Sequence, residues 1–192
     1  SNNVAEARFT LCYRNYWCRG LSDAKSKKSW KSLSIFKQDL QWQDVDLEYV
    51  DREGFSLLGY AVVSDCIEIV EEILREIEKT SEPQKLIRTR VPKAGLVSIG
   101  IPGLSTSLMG AMMAASPSVV SSLLDHGSDP NGRDISGNDS LMAATFFGRT
   151  ENVKFWLDRF PKWDLERGNK VLGGTSLGSA VYMGPRRLEL VK

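Results

Sequence analysis

Leu108 recurs as Leu141, Ala111 as Ala144, Val120 as Val153 and Leu124 as Leu157, all at one interval. Thr106-Ser107-Leu108-Met109-Gly110-Ala111 and Asp139-Ser140-Leu141-Met142-Ala143-Ala144 open two copies of one pattern that runs without a gap from Leu104 to Leu157. A period of about 33 residues constrains the fold more than any other feature of the chain. Each copy is one supersecondary unit that cannot bury its apolar face alone, and stacked neighbours supply the missing wall. Small Ala111 and Ala144 are expected where the next unit's helix comes close. Leu108, Val120, Leu123 and Leu124 are expected to fill the space between two antiparallel helices.

Three further details carry a family likeness. Gly127-Ser128-Asp129-Pro130-Asn131 occupies the loop after the second helix of the first copy, and Gly137 and Gly148 fill two turn positions of the second. With the leading Thr-Ser-Leu-Met-Gly-Ala pattern, these residues resemble the ankyrin repeat over Ser105 to Leu157. The resemblance implies an all-α fold, a solenoid of stacked helix-turn-helix units.

Weaker copies flank the two strong ones. Gly54-Phe55-Ser56-Leu57-Leu58 with Ala61, then Ile67-Glu68-Ile69-Val70 and Ile73-Leu74, read as an earlier repeat whose turn glycine is replaced by Asp65. Leu58 and Leu108 lie farther apart than one period, so an insertion separates them, between about 80 and 96. A last repeat opens at Gly173-Gly174-Thr175-Ser176-Leu177 with Ala180 and Gly184, slightly later than the period requires. Leu188, Leu190 and Val191 start a second helix, and the reading is of a fragment of a longer protein or of an end that something else covers. Leu33, Phe36 and Leu40 recur at helical spacing and suggest a diverged N-terminal cap. The expected organisation is a basic, aromatic segment over 1–29, a cap over about 30–50, and repeats starting near 51, 101, 134 and 170.

Charge is uneven. Residues 1–37 hold eight basic and two acidic side chains, so a chain of net charge +1 is +6 there and −5 beyond. With Phe9, Tyr13, Tyr16, Trp17 and Trp30 interleaved, this part could stack and neutralise single-stranded nucleic acid. The favoured reading is a cap, whose aromatics cover the first repeat while its charges face water. The insertion carries Lys85, Arg88, Arg90 and Lys93 against Glu82 alone. Two roles for it stay open, a loop that contacts an acidic partner and a surface insertion that costs little loop entropy.

No catalytic set is visible, and no cofactor, metal or small-molecule substrate is expected. His126 is the one histidine and reads as a solvent-facing loop residue. Cys12, Cys18 and Cys66 have no metal-ligand or disulfide-framework spacing, and read as reduced thiols of an intracellular, cytoplasmic protein. No Gly-rich phosphate loop occurs. No apolar run reaches the roughly 18 residues that a membrane span needs.

What stands out is apolar residues where the resemblance implies polar ones. In ankyrin repeats the two residues before the turn glycine face the concave side. Here they are Val63-Ser64, Met113-Ala114, Phe146-Phe147 and Tyr182-Met183, and the fingertips before each first helix add Phe55, Ile135, Val171 and Leu172. Exposed aromatics and Met on one side are what an interface core contains. The competing reading turns some of them inward. The resemblance thus implies a scaffold or adaptor that binds another protein, with Phe146, Phe147, Tyr182 and Met183 as anchors. The alternative is a structural ankyrin segment of a larger channel, enzyme or assembly. The resemblance also makes Asn131 a candidate for asparaginyl hydroxylation, beside the commoner role of bracing its loop.

Overall fold

The computed structural model describes residues 46–48, 50, 56–63, 65–90, 102–103 and 105–184. The chain divides into two units, Ser1–Tyr49 and Val50–Lys192. Of the first, only 46–48 fall among the described residues. There the Glu48 N–H donates to Asp46 Oδ1 at 2.9 Å, a side-chain turn of the kind aspartate favours. The expected cap helix and the basic, aromatic segment lie outside the described residues.

The described part of the second unit is all-α, with eight helices and no strand. In chain order they are α1 (Leu57–Val63), α2 (Ile67–Glu78), α3 (Pro83–Ile87), α4 (Ser107–Ala114), α5 (Pro117–Asp125), α6 (Ser140–Phe147), α7 (Thr150–Arg159) and α8 (Ser176–Tyr182). α1 pairs with α2, α4 with α5 and α6 with α7. The first helices pack in sequence, α1 on α4, α4 on α6 and α6 on α8; α2, α5 and α7 form the parallel series. Helix starts keep the sequence spacing. Ser107 and Ser140, which open α4 and α6, stand at the interval of the repeat, as do Pro117 and Thr150, which open α5 and α7. α8 starts slightly later than that interval, at Ser176, and α1 precedes α4 by one interval plus the insertion.

The same local chemistry starts every first helix. Ser56 Oγ, Thr106 Oγ1, Asp139 Oδ1 and Thr175 Oγ1 each accept the backbone N–H three residues on, at 2.9–3.2 Å. These side-chain oxygens satisfy amides that a helix start leaves without carbonyl partners. Helix α4 is apolar almost all round and buries Leu108 to Met113, as a helix covered on several sides must. Ala111 and Ala144 are fully buried, as their spacing implies. The outer helix α2 is amphipathic, burying Val70, Ile73, Leu74 and Ile77 while Glu71 and Arg75 stay exposed.

The turn between α6 and α7 is left-handed at Gly148 (φ 69°), and Gly184 (φ 77°), just after α8, is left-handed too. Asp65, at the same place in the first pair, is also left-handed at φ 55°. Aspartate tolerates that region better than most side chains. Here its Oδ1 also accepts the Ser116 N–H at 2.6 Å and the Ser116 hydroxyl at 2.7 Å, so it caps α5 from the preceding pair. Asn152 is buried and donates to the carbonyls of Ala111, Met112 and Ala115, while Arg149 donates to Ala115 O at 2.7 Å. The open C-terminal end of α4 is therefore closed by the next pair.

The insertion corrects an expectation. Its first part is packed structure. Pro83 opens α3 at a position where its missing N–H costs nothing, and Leu86 and Ile87 are buried. Gln84 Nε2 donates to His126 O, Arg88 Nε to Gly127 O and Arg90 Nη1 to Arg133 O, at 2.7–3.2 Å. Gly127 (φ 92°) lies beneath the Gln84 side chain, where a Cβ would come within 2.7 Å of its amide. α3 is thus a strap from the first pair across the closing turn of the second.

Candidate functional site

The residues before each inter-helix turn share one place in the register but differ in surroundings. Val63 is half-buried. Met113 is 8% exposed, which corrects the expectation that it lines an open surface. It lies in α4, which has α1 on one side and α6 on the other, and an unbranched thioether folds into such a gap. Phe146 and Phe147 are 43% and 41% exposed, and Tyr182 is 85% exposed. Met183 is half-buried. Neighbouring helix positions point in different directions, so two adjacent rings cannot both enter one helix pair. Phe146 and Phe147 instead pack edge to face, with centroids 5.5 Å apart, an arrangement that fixes both rings.

The fingertip residues are held out by a polar framework. The Ile135 N–H donates to Gly103 O and the Lys170 N–H to Ser136 O, both at 2.8 Å, so successive loops are hydrogen-bonded side by side. Arg133 Nη1 donates to Gly137 O and Gly168 O, bridging two loops. Asn169 Oδ1 accepts the N–H groups of Val171, Leu172 and Gly174, and its Nδ2 donates to Asn138 Oδ1. This shapes the turn that carries Val171 and Leu172, the latter 90% exposed; Ile135 is exposed as well. Phe55 lies outside the described residues.

Of the expected cationic site, Lys85, Arg88 and Arg90 are exposed. Arg88 and Arg90 donate to backbone carbonyls across the strap's seat, and Lys85 Nζ pairs with Glu82 at 2.8 Å. Lys93 lies outside the described residues.

His126 also departs from the solvent-facing expectation. It is half-buried, with Nδ1 2.7 Å from Ser122 O and Nε2 3.6 Å from Glu78 Oε1. A carbonyl only accepts, so Nδ1 carries a proton. Burial pushes the Cys66 thiol above its ordinary pKa, and its sulfur lies 3.4 Å from Glu68 Oε2. Such a thiol is poor in the reactive thiolate. Asn131 is exposed; its N–H donates to Asp129 Oδ1 at 2.9 Å and its Oδ1 accepts from Arg167 at 3.0 Å. Among the described residues no group of three His, Cys, Asp or Glu side chains could hold a metal ion. Nor, among them, is any helix long and apolar enough to cross a membrane.

Sequence reasoning passed over two features. Leu177 and Val181, four apart on α8, are exposed apolar residues on one helix face; their spacing was the available signal. Trp156, Phe160 and Trp163 form a cluster with centroids 4.8–5.7 Å apart, and the Arg167 guanidinium lies 4.9 Å above Trp163. Phe160-Pro161-Lys162-Trp163 in place of the Gly-Ser-Asp-Pro turn was the signal for that cluster. No protein-family model and no curated protein matches this sequence.

Proposed function

We propose that this chain is a protein-recognition module built on an ankyrin-repeat solenoid, with no chemistry of its own. Two features support the solenoid: the single interval shared by sequence and helix starts, and the helix pairs that pack in series. The partner is another protein, lying along the turn ends of α6 and α8 and the loop tips beside them. Phe146, Phe147, Tyr182 and Met183 are its anchors, and Ile135, Val171 and Leu172 extend the contact. The observation that carries this reading is the placement of two adjacent phenyl rings and a tyrosine at open positions, where the equivalent Met113 is core. Large aromatic side chains in such positions supply most of the binding energy in protein interfaces. An intracellular setting goes with this reading, in keeping with Cys66 as a free thiol.

A comparison of captured proteins tests it. Wild-type chain and a Phe147→Ala/Tyr182→Ala variant are each used as bait in extract from the native source, with mass spectrometry of what binds. The reading expects specific proteins held by the wild type and lost by the variant. Equal capture by both would contradict it.

The second reading, a structural segment of a larger assembly, is favoured by the exposed Leu177 and Val181. On that reading Leu177→Asp abolishes capture, while Phe147→Ala leaves it unchanged.

A further inference from the structure

Asn131-Gly132 is the one Asn-Gly pair in the chain. It lies in the loop that closes the α4/α5 pair. Asn131 is exposed, and Gly132 beside it is buried. The Asn131 N–H donates to Asp129 Oδ1 at 2.9 Å, and the Gly132 N–H donates to Asp129 O at 3.2 Å. The second bond stands at the long end of the range for an N–H donor. From the next loop, Arg167 Nη1 donates to Asn131 Oδ1 at 3.0 Å, and the same guanidinium is seated over the Trp163 ring. The other described asparagines are held differently. Asn152 is buried and donates to the carbonyls of Ala111, Met112 and Ala115. Asn169 Oδ1 accepts from Val171, Leu172 and Gly174, and Asn138 Nδ2 donates to Asp134 Oδ2. Each of these three is followed by a residue with a side chain, Val153, Lys170 and Asp139.

We infer that Asn131 is a site of spontaneous deamidation, with the Gly132 backbone nitrogen as nucleophile and Arg167 polarising the amide under attack. Glycine suits the role because no Cβ shields its nitrogen and its backbone turns freely. Solvent takes the Gly132 N–H proton, and the nitrogen bonds to Asn131 Cγ. Negative charge then develops on Oδ1, where the Arg167 donor already stands, and a donor placed at developing charge lowers a barrier. The Cγ–Nδ2 bond breaks, and the leaving nitrogen takes up a proton and departs as ammonia. A cyclic imide remains, and water opens it in one of two ways. Cleavage of the new Cγ–N bond gives aspartate at 131 with the normal main chain. Cleavage at the backbone carbonyl of 131 gives isoaspartate, whose main chain runs through the side-chain carbons. Neither route needs an oxidant or a reductant.

The two products have different consequences. Aspartate keeps the main chain and sets a carboxylate against Arg167. Isoaspartate lengthens the main chain ahead of Gly132, which has little room to move. A Cβ at Gly132 would lie 3.3 Å from Asp129 O, 3.4 Å from Cγ2 of Thr106, the residue that caps α4, and 3.5 Å from the strap's Arg90. Isoaspartate therefore strains the point where this loop, the strap and the start of α4 meet.

The test ages the full chain in mildly alkaline buffer and maps its peptides by chromatography and mass spectrometry. The peptide containing Asn131 is expected to gain the mass of an amide turned acid and to split into two species. The peptides of Asn138, Asn152 and Asn169 are expected to stay unchanged. Asn131→Gln should abolish the change, and Arg167→Gln should slow it severalfold. The aged isoaspartyl form should melt below Asn131→Asp, which keeps the normal main chain. Unfolded chain, aged alongside in denaturant, sets the time scale. The proposal is overturned if Asn131 is intact in the folded chain once the unfolded chain has converted, or if the other asparagines convert equally fast. Conversion that Arg167→Gln leaves unchanged or speeds overturns the part given to Arg167. Equal melting of the isoaspartyl form and Asn131→Asp overturns the strain placed at Gly132.

Discussion

Leu141 and Leu177 hold the same place in two successive first helices, yet Leu141 is 2% exposed and Leu177 is 56% exposed. Leu108, one unit earlier, is buried like Leu141. The three leucines follow the same kind of capping residue and open the same short helix. What differs, among the described residues, is company. α4 has helices on both sides and α6 lies between α4 and α8, whereas α8 packs on α6 and, of its seven residues, buries only Ser176 and Ala180. A repeated sequence therefore specifies where a side chain points, and its neighbours decide whether that direction is core or surface.

The sharpest way to break this comparison is to truncate the equivalent leucines in turn. Leu141→Ala should cost about 2–5 kcal/mol, the transfer and cavity cost of a buried leucine. Leu177→Ala should stay within about 0.5 kcal/mol, as surface changes do. Equal losses in chemical denaturation would show that α8 is as buried as α6.

Overpacking probes the same contact from the other side. Ala144 is fully buried where α6 meets its neighbours, so Ala144→Leu should cost about 1–3 kcal/mol. An unchanged melting temperature would mean that the helices are farther apart than described.

The strap offers a test of comparable size. Gly127→Ala forces a Cβ onto the Gln84 amide and a side chain into φ 92°, which should cost about 1–3 kcal/mol. Thermal melts check it. Indifference to the substitution would argue against the left-handed turn at Gly127.

The helix caps give a smaller, graded effect. Asp139→Ala removes the acceptor for the Met142 N–H in the buried middle of the stack and should cost about 1 kcal/mol. Thr175→Ala, at the exposed end, should cost no more than that. The reverse order, measured by urea midpoints, would argue that α8 is the better-supported helix.

The legible parts of the fold were those that repeat. The spacing of Leu108 and Leu141, of Ala111 and Ala144, and the longer offsets to Leu58 and Leu177 anticipate the starts of α1, α4, α6 and α8. The strap was not legible as structure, because it occurs once and periodicity says nothing of a single insertion. Its local signals, Pro83 at a helix start and the adjacent Leu86-Ile87, were present but outweighed by its basic residues. Asp65 keeps the turn without glycine because its carboxylate caps α5, a contact between residues far apart in the chain that no local pattern shows. Within the candidate site, the reading of Phe146, Phe147 and Tyr182 as open positions agrees with their exposure. Met113, at the same register, does not, since its fate depends on having helices on both sides.

The central claim is that the apolar residues at the turn ends of α6 and α8 serve a partner rather than the core. Its most direct test measures affinity and stability together for Phe147→Ala and Tyr182→Ala, using a protein captured by the wild-type chain. The account predicts that each variant loses about 2 kcal/mol or more of binding while its melting temperature stays close to that of the wild type. Early melting with unchanged affinity would show that these rings belong to the core and would contradict it.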